Sequence, residues 1–462
     1  MSVAVHPTTG TGRLRRVLVA NRGEIALRVL RACRELGLET VIVHSEADAD
    51  SLPVRLADRA VCIGPARSNQ SYLNAEFIVS AALIHHADAI HPGYGFLSEN
   101  ADFARLCEME KIVFVGPTAD VIAQMGDKVR ARQLAAEAGV PTTPGSAGKL
   151  RDAAEAAQLA AQIGYPVLLK AAAGGGGRGM RVVREAGELA DQFADAAREA
   201  KGAFGDDAIY VEKYLTNIRH IEIQVLSDGE TVLHLGERDC SIQRRNQKLL
   251  EETPSPVLDA AVRARMCAAA VKLCRHVGYT SAGTIEFILD AASGEFYFME
   301  MNTRIQVEHP VTEMVSGIDL VKAQLEIAGG TPLAIAQDEI RYHGHAIECR
   351  INAEDSERDF APCPGAITRY HAPGGPGIRV DSHIHAGYTV PPYYDSLLAK
   401  VVSWGRNRAE AIARMRRALH EMEVGGIKTT IPFHLGLLQH EAFVAGDVHT
   451  RFVENELLGA RA

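Results

Sequence analysis

The sequence predicts a mixed α/β and α+β chain in three successive regions: a parallel α/β region at the N-terminus, a central region with a glycine-rich cover, and a mixed C-terminal region. Three observations predict it. Strand-like and helix-like runs alternate up to about residue 125, a glycine run joins two strand-like segments in "GYPVLLKAAAGGGGRGMRVV", and from about residue 208 strand-like runs dominate.

A short polar tail, expected to be flexible over residues 1–12, leads into "RRVLVANRGEIALRVLRACRELGLETVIVHS". A β-rich run is followed by Ile25, Leu27, Val29, Leu30 and Cys33 near helical period and then by "TVIVHS", which reads as strand, helix, strand. The alternation continues through "AVCIG", "AEFIVSAALIHHA", "DAIHPG", "ADFARLCEMEK" and "IVFVGP", so residues 13–125 are expected to form one parallel α/β domain. No GxGxxG follows its first strand, which argues against dinucleotide binding there.

The second region is expected over 126–335, with a lid at about 140–210. It contains "MGDK", and a strand ending in Lys170 that meets the glycines; these join strand to strand, whereas a Walker A loop would open a helix. Taken alone, a glycine run is a surface turn. Lys170 before it and Arg178 within it favour a phosphate cover, because a backbone without Cβ atoms beside cations suits close approach to phosphate oxygens. Further on, His220, Glu222 and Gln224 alternate with Ile221, Ile223 and Val225, giving one polar face and one packing face. "DAASGE" reads as a hairpin turn, and since residue 293 lies midway between 286 and 300, Glu286 and Glu300 should face each other on antiparallel strands. The third region, expected over 340–455, mixes strands and helices from "GHAIECRINAED" to "RAEAIARMRRALHEMEV".

Composition narrows the function classes. At 462 residues, 47% hydrophobic and 23% charged, the chain is long enough for two or three domains of roughly 100–200 residues. Net charge is −9 with the basic residues dispersed, so nucleic acid is not an expected partner. Eight cysteines without a CxxC pair read as free thiols in a reducing cytoplasm. With no signal-peptide h-region and no apolar run of about 18 residues, a cytoplasmic protein without membrane contact is expected.

The chemistry concentrates in "MEMNTRIQVEHPVTE". Read as an extended strand, it puts Glu300, Asn302, Arg304, Gln306 and Glu308 on one side and Met301, Ile305 and Val307 on the other. Two opposed carboxylates and an amide repel or stay solvated unless a cation sits among them, and an oxygen set of this kind suits magnesium. Together with Lys170, the lysine of "GDK" and the basic "QRRNQK", they make up an inventory for MgATP phosphoryl transfer.

Long blocks carry a more specific resemblance. "VLVANRGEIALRVLRACRELG", "AIHPGYGFLSEN", "MGDK", "GGGGRGMRVV", "EKYL", "RHIEIQV", "ERDCSIQRR", "EMNTRIQVEHPVTEM", "ECRINAED" and "GYTVPPYYDS" together make nearly the whole chain resemble biotin carboxylase, the ATP-grasp component of biotin-dependent carboxylases such as acetyl-CoA carboxylase. The resemblance implies an N-terminal pre-ATP-grasp domain, an ATP-grasp domain with a mobile glycine-rich lid, and a C-terminal biotin carboxylase domain. It also implies a ligase that phosphorylates bicarbonate with MgATP and transfers CO2 to biotin, in the first half-reaction leading to fatty acid biosynthesis or a related carboxylation.

By the same resemblance, Lys128, Lys170, Gly176, Gly177, Glu212, Lys213, Tyr214, Leu215, His220, Gln243, Glu286 and Glu300 would bind ATP. Glu286, Glu300 and Asn302 would carry two magnesium or manganese ions. Lys248, Arg304, Gln306, Val307 and Glu308 would bind bicarbonate, with Glu308 as its general base. Tyr94 and Arg350 would serve biotin, with Arg350 stabilising the enolate; Glu308, Arg304, Lys248 and Arg350 form the catalytic set, and His309 reads as structural. Biotin would arrive as a substrate on a separate biotin carboxyl carrier protein, carboxyltransferase subunits would take it onward, and a homodimer is expected, with Arg31, Glu35 and Arg379 as interface residues. Three positions depart from the family pattern: Asn246 replaces a histidine of the basic loop, Ala173 replaces a glycine, and Pro376 stands where some relatives carry an aromatic dimer contact. Rival readings are an ATP-grasp ligase that activates a carboxylate for an amine, and a non-catalytic nucleotide-binding subunit. The "HPGYGFLSEN" and "RIQVEHP" blocks oppose the first and the retained charged set opposes the second.

Overall fold

A computed structural model describes residues 14–146, 148–171, 180–204, 206–291 and 293–459. The glycine cover, including Ala173, Gly176, Gly177 and Arg178, and the expected tail lie outside the described residues.

The N-terminal region folds as anticipated. Strands Arg16–Val19, Glu39–His44, Arg59–Cys62, Ala89–His91 and Val113–Phe114 form a parallel sheet in which the first strand lies centrally, between Glu39–His44 and Ala89–His91. Chain order therefore reverses between the Arg16–Val19 and Ala89–His91 strands, and a crevice opens at the carboxyl ends of such a pair. Helix Gly23–Glu35 begins at one of these ends, and the "HPGYG" loop leaves the other. Asn21 ties the two together: its Nδ2 donates to the carbonyls of Pro92 and Tyr94, each at 2.7 Å. Gly93 is required there, since its φ is +63° and a Cβ would meet the Asn21 amide at 2.9 Å.

The glycine run is flanked, as expected, by strands Val167–Ala171 and Met180–Val183, which with Ile209–Lys213 form a three-stranded antiparallel sheet. Helices Ala153–Ile163 and Leu189–Phe204 pack on it over a small apolar core that includes Val167, Leu169, Ile209 and Val211.

The largest element among the described residues is an eight-stranded sheet. In spatial order its strands are Phe296–Asn302, Thr280–Asp290, Ile218–Asp228, Val232–Arg244, Gln247–Thr253, His345–Asn352, Leu397–Gly405 and Ile378–Ser382, antiparallel throughout. The first five come from the central region and the last three from the C-terminal region. They join where Leu250 pairs with Cys349 and Glu251 with Glu348, so the sheet runs on across the division expected near residue 340. The tight turn between Arg244 and Gln247 holds Arg245 at φ +49° and Asn246 at φ +64°. Asparagine is among the few non-glycine residues at ease in that conformation, and so is histidine, so the backbone does not explain the exchange. Six of the eight cysteines are buried as free thiols, Cys62 is exposed and Cys363 is intermediate. No helix among the described residues is long and apolar enough to cross a membrane.

Candidate active site

A cleft of about 870 Å³ opens over the large sheet where it meets the "HPGYG" loop. Tyr94, Lys128, His220, Gln243, Lys248, Glu286, Glu300, Asn302, Arg304, Gln306, Val307 and Arg350 all line it. Lys128 is delivered by the start of helix Lys128–Glu137, whose Asp127 cap accepts from the Val129 and Arg130 amides at 2.9 Å.

At the floor of the cleft the Lys248 ammonium uses all three of its donors on carboxylates: Glu222 at 2.6 Å, Glu286 at 2.9 Å and Glu308 at 2.6 Å. Burial opposes the charge, but the three carboxylates outweigh it and hold Lys248 well above the usual lysine range. Glu286 and Glu300 face each other across strands Thr280–Asp290 and Phe296–Asn302, as their spacing around residue 293 requires. Burial would raise Glu286, yet Lys248 and His220 overcome it and keep Glu286 ionised; the His220 Nε2 lies 3.0 Å from its Oε2. Gln243 donates to the other His220 ring nitrogen at 3.0 Å. Glu300 is shifted upward, first by burial and then by the Glu286 charge. Two carboxyls pushed in opposite directions beside the Asn302 amide form a hard oxygen set whose repulsion a divalent cation would relieve, so these residues fit magnesium.

The extended row read from the sequence stops early. The strand ends at Asn302, residues 303–306 bend away, and Val307 and Glu308 turn into helix His309–Ser316. The physical reason is a competing set of partners: the Thr303 amide donates to Glu99 at 3.1 Å and Arg304 Nε to the same carboxylate at 2.9 Å, which pulls the chain off the ladder. The side chains converge nonetheless. Arg304 donates to Asn302 and Gln306, each at 2.8 Å, and Gln306 to Glu286 at 3.0 Å.

Glu308 occupies the N-cap position of helix His309–Ser316, without a side-chain capping bond and with no solvent exposure, where the helix dipole favours negative charge. Burial works against its ionisation, but Lys248, Arg350 and Arg238 prevail and hold it well below the usual carboxylate range. Arg350 bridges Glu308 at 2.8 Å and Glu251 at 2.7 Å. His309 bonds the Gln306 carbonyl at 2.7 Å, a structural contact. Tyr94 donates its phenol to Glu24.

Lys170, Glu212, Lys213, Tyr214 and Leu215 sit on or just after the small sheet and do not line this cleft. Lys170 donates to Glu212 at 2.6 Å, Arg132 pairs with the same carboxylate, and Lys213 donates to the Gly164 and Tyr165 carbonyls at 2.9 and 3.2 Å. Tyr214 lies under Arg451. Of the residues expected at a dimer interface, Glu35 pairs with Lys322, and Arg379 bridges Glu313 and Asp381 within the chain.

Sequence reasoning missed several charges that build this floor. Arg238, fully buried, donates to Glu222 at 2.5 Å, Gln224 at 2.7 Å, Thr312 at 2.9 Å and Thr284 at 3.1 Å. Glu222 was visible as part of a polar strand face, and that face was the available signal. Glu24 and Lys400 are single charges and Glu251 is half of a Glu251–Glu252 pair, none with a periodic signature.

Comparison with known proteins gives three family-model matches: "Biotin carboxylase, N-terminal domain" over residues 13–122, "Carbamoyl-phosphate synthase L chain, ATP binding domain" over 127–336, and "Biotin carboxylase C-terminal domain" over 348–455. Biotin carboxylase 1 of Bacillus subtilis is 58% identical over 443 residues, covering 96% of this chain and 98% of that protein. The biotin carboxylase structure from Campylobacter jejuni superposes with a TM-score of 0.90 at 50% identity, covering 96% of this chain and 99% of that one. The biotin carboxylase domain dimer of Hydrogenobacter thermophilus 2-oxoglutarate carboxylase, in complex with MgADP, ADP and bicarbonate, gives 0.88 at 52% identity, covering 96% and 98%.

Proposed function

The chain belongs to the biotin carboxylase family, and from that premise we propose how its residues share the work of ATP-dependent biotin carboxylation. The reaction takes bicarbonate, MgATP and biotin to carboxybiotin, ADP and phosphate, a carbon–nitrogen ligase chemistry. Bicarbonate gives its proton to Glu308 while its oxygen attacks the γ-phosphorus and ADP departs, forming carboxyphosphate. Carboxyphosphate breaks down to CO2 and phosphate. Biotin gives its ureido N–H proton to the phosphate just released, and the enolate so formed attacks CO2 through that nitrogen.

The observation that carries this reading is Glu308, ionised and buried directly behind the cleft-lining Lys248 and Arg350, beside the Glu286–Glu300 pair that lines the same cleft. A carboxylate held ionised at neutral pH and within reach of an anion's hydroxyl is what a base for bicarbonate requires. Arg304, Gln306, Lys248 and the Val307 backbone bind bicarbonate and carboxyphosphate; Arg350 stabilises the enolate, with Tyr94 against the ring. Lys128, His220 and Gln243 on the body, and Lys170, Glu212, Lys213, Tyr214 and Leu215 on or just after the small sheet, bind the nucleotide together with Gly176 and Gly177. Glu286, Glu300 and Asn302 would hold the magnesium or manganese ions, which when bound neutralise charge across the phosphates.

Biotin comes on a separate carrier protein and passes to carboxyltransferase subunits in the cytoplasm, and the protein works as a homodimer; the dimeric H. thermophilus relative supports the last point. Acetyl-CoA, another acyl-CoA or a small acid is then carboxylated downstream, outside this site; the H. thermophilus relative is part of a 2-oxoglutarate carboxylase.

The first test supplies purified protein with MgATP and free biotin and follows ADP release with and without bicarbonate. Turnover is expected to need both bicarbonate and biotin. Glu308→Ala should lower bicarbonate-dependent turnover on the order of 10²–10⁴-fold with the KM for MgATP nearly unchanged. ADP release indifferent to bicarbonate, or a large loss of nucleotide affinity in the variant, would overturn the base assignment.

A further inference from the structure

Lys400 lies in the middle of the Leu397–Gly405 strand with no solvent exposure, flanked by Arg350 on one neighbouring strand and Asp381 on the other. An ammonium so placed is costly unless it is paired and fully hydrogen-bonded. Asp381 is already committed to Arg379, which donates to both its oxygens at 2.9 and 2.7 Å. Lys400 turns instead toward the cleft. Its Nζ donates to the Val307 carbonyl at 2.8 Å and lies 3.1 Å from Glu24 Oε1.

Both partners connect to the site. The Val307 carbonyl belongs to the peptide that leads into Glu308, so holding it fixes the approach of the base to its helix. Glu24, 3% exposed in the first turn of helix Gly23–Glu35, accepts the Tyr94 phenol, while its second oxygen is buried without a hydrogen-bond partner among the described residues. Tyr94 and Val307 both line the cleft. One buried ammonium therefore joins three distant parts of the chain: the "HPGYG" loop through Glu24, the turn before helix His309–Ser316, and the C-terminal strand beside Arg350.

We propose that Lys400 is a positioning residue that sets the Val307–Glu308 peptide against Tyr94, so that the bicarbonate end and the biotin end of the cleft are held in register by the Tyr94–Glu24–Lys400–Val307 chain. It touches neither substrate, and it rests on the assignment of Glu308 as base. Displacing a base by about 1 Å can cost turnover on the order of 10²-fold without unfolding the protein.

The experiment uses the full chain and four variants. Lys400→Met alone strands the Glu24 carboxylate and risks misfolding, so the decisive protein is Glu24→Gln with Lys400→Met, which removes both charges together. Thermal denaturation establishes that it folds. The expected result is a KM for bicarbonate raised by roughly 10-fold or more, and kcat lowered, with the KM for MgATP within about twofold of the parent. Tyr94→Phe should alter bicarbonate kinetics in the parent but add nothing in the double variant, because the two act through one chain. Glu308→Gln, assayed alongside, separates the premises: if it keeps bicarbonate-dependent turnover, the base assignment fails. If Glu308→Gln is inactive and the folded double variant retains parental bicarbonate KM and kcat, or responds to Tyr94→Phe as the parent does, the positioning role is wrong.

Discussion

The floor of the cleft and the small three-stranded sheet carry the two halves of the nucleotide-binding set proposed above, and they are built on opposite plans. On the floor, Lys248 is 12% exposed and saturated by three carboxylates, each of which has a further partner on the eight-stranded sheet or beside it. On the small sheet, Lys170 is 37% exposed and shares a single carboxylate, Glu212, with Arg132. Charges that must be in place before substrate arrives are held by a thick, interlocked structure, where reorganisation would be slow and costly. Lys170 and Arg132 stand nearer solvent on a thin sheet, where, in the proposed role, exchanging a carboxylate for a phosphate costs little.

The contrast can be broken most forcefully at Lys248. Lys248→Met leaves Glu222, Glu286 and Glu308 mutually repelling in a buried space, and a loss of about 3–5 kcal/mol of stability together with loss of turnover is expected, read by denaturant melts and ADP release. A variant as stable as the parent would show that the floor is not the rigid half. Lys170→Gln should do the reverse: the KM for MgATP rises about 10-fold while stability changes by about 1 kcal/mol or less, since its ion pair is partly solvated. A large stability change would erase the distinction.

The subtlest test lies beneath the floor. Glu251 and Glu348 oppose each other directly, both fully buried, and three of their four carboxyl oxygens lack partners among the described residues. Burial pushes Glu251 up to about 7, with Arg350 opposing, and pushes Glu348 well above the carboxylate range, with Lys400 opposing. The folded protein therefore holds protons that the unfolded chain releases above its ordinary carboxylate pKa. That stabilisation is complete below about 4.5 and is lost as pH rises through about 7. Glu348→Gln removes the repulsion, so its melting temperature relative to the parent should climb steadily from pH 5 to 8; buried histidines such as His91 and His434 cancel in that difference. A constant offset across that range would mean that the pair carries no proton.

Local patterns in the sequence reach as far as local geometry does. The alternation of strands and helices in the first region, the strands either side of the glycines and the Glu286–Glu300 pairing all follow from period and turn chemistry, and all appear in the fold. The extended row beyond Asn302 failed because Glu99, about 200 residues earlier, captures Thr303 and Arg304. Lys400, Arg238 and Glu24 were invisible for the same reason: a lone charge in an apolar strand, one charge within the Glu237–Arg238–Asp239 run or one at a helix start acquires meaning only from partners brought by long-range registers such as Arg350 with Lys400, which no nearby pattern specifies. The long blocks of family resemblance reached past this limit because they name a whole three-dimensional arrangement at once.

The unbroken eight-stranded sheet also governs how the chain can be divided. Truncation near residue 340 would strip the His345–Asn352 strand from Gln247–Thr253 and leave that seven-residue strand, with Leu249 and Leu250 at its middle, as an edge of unpaired amides and carbonyls. Such an edge recruits other chains into intermolecular sheets, so a piece carrying only the nucleotide half should accumulate as aggregate, and the smallest soluble unit is one that includes Leu397–Gly405.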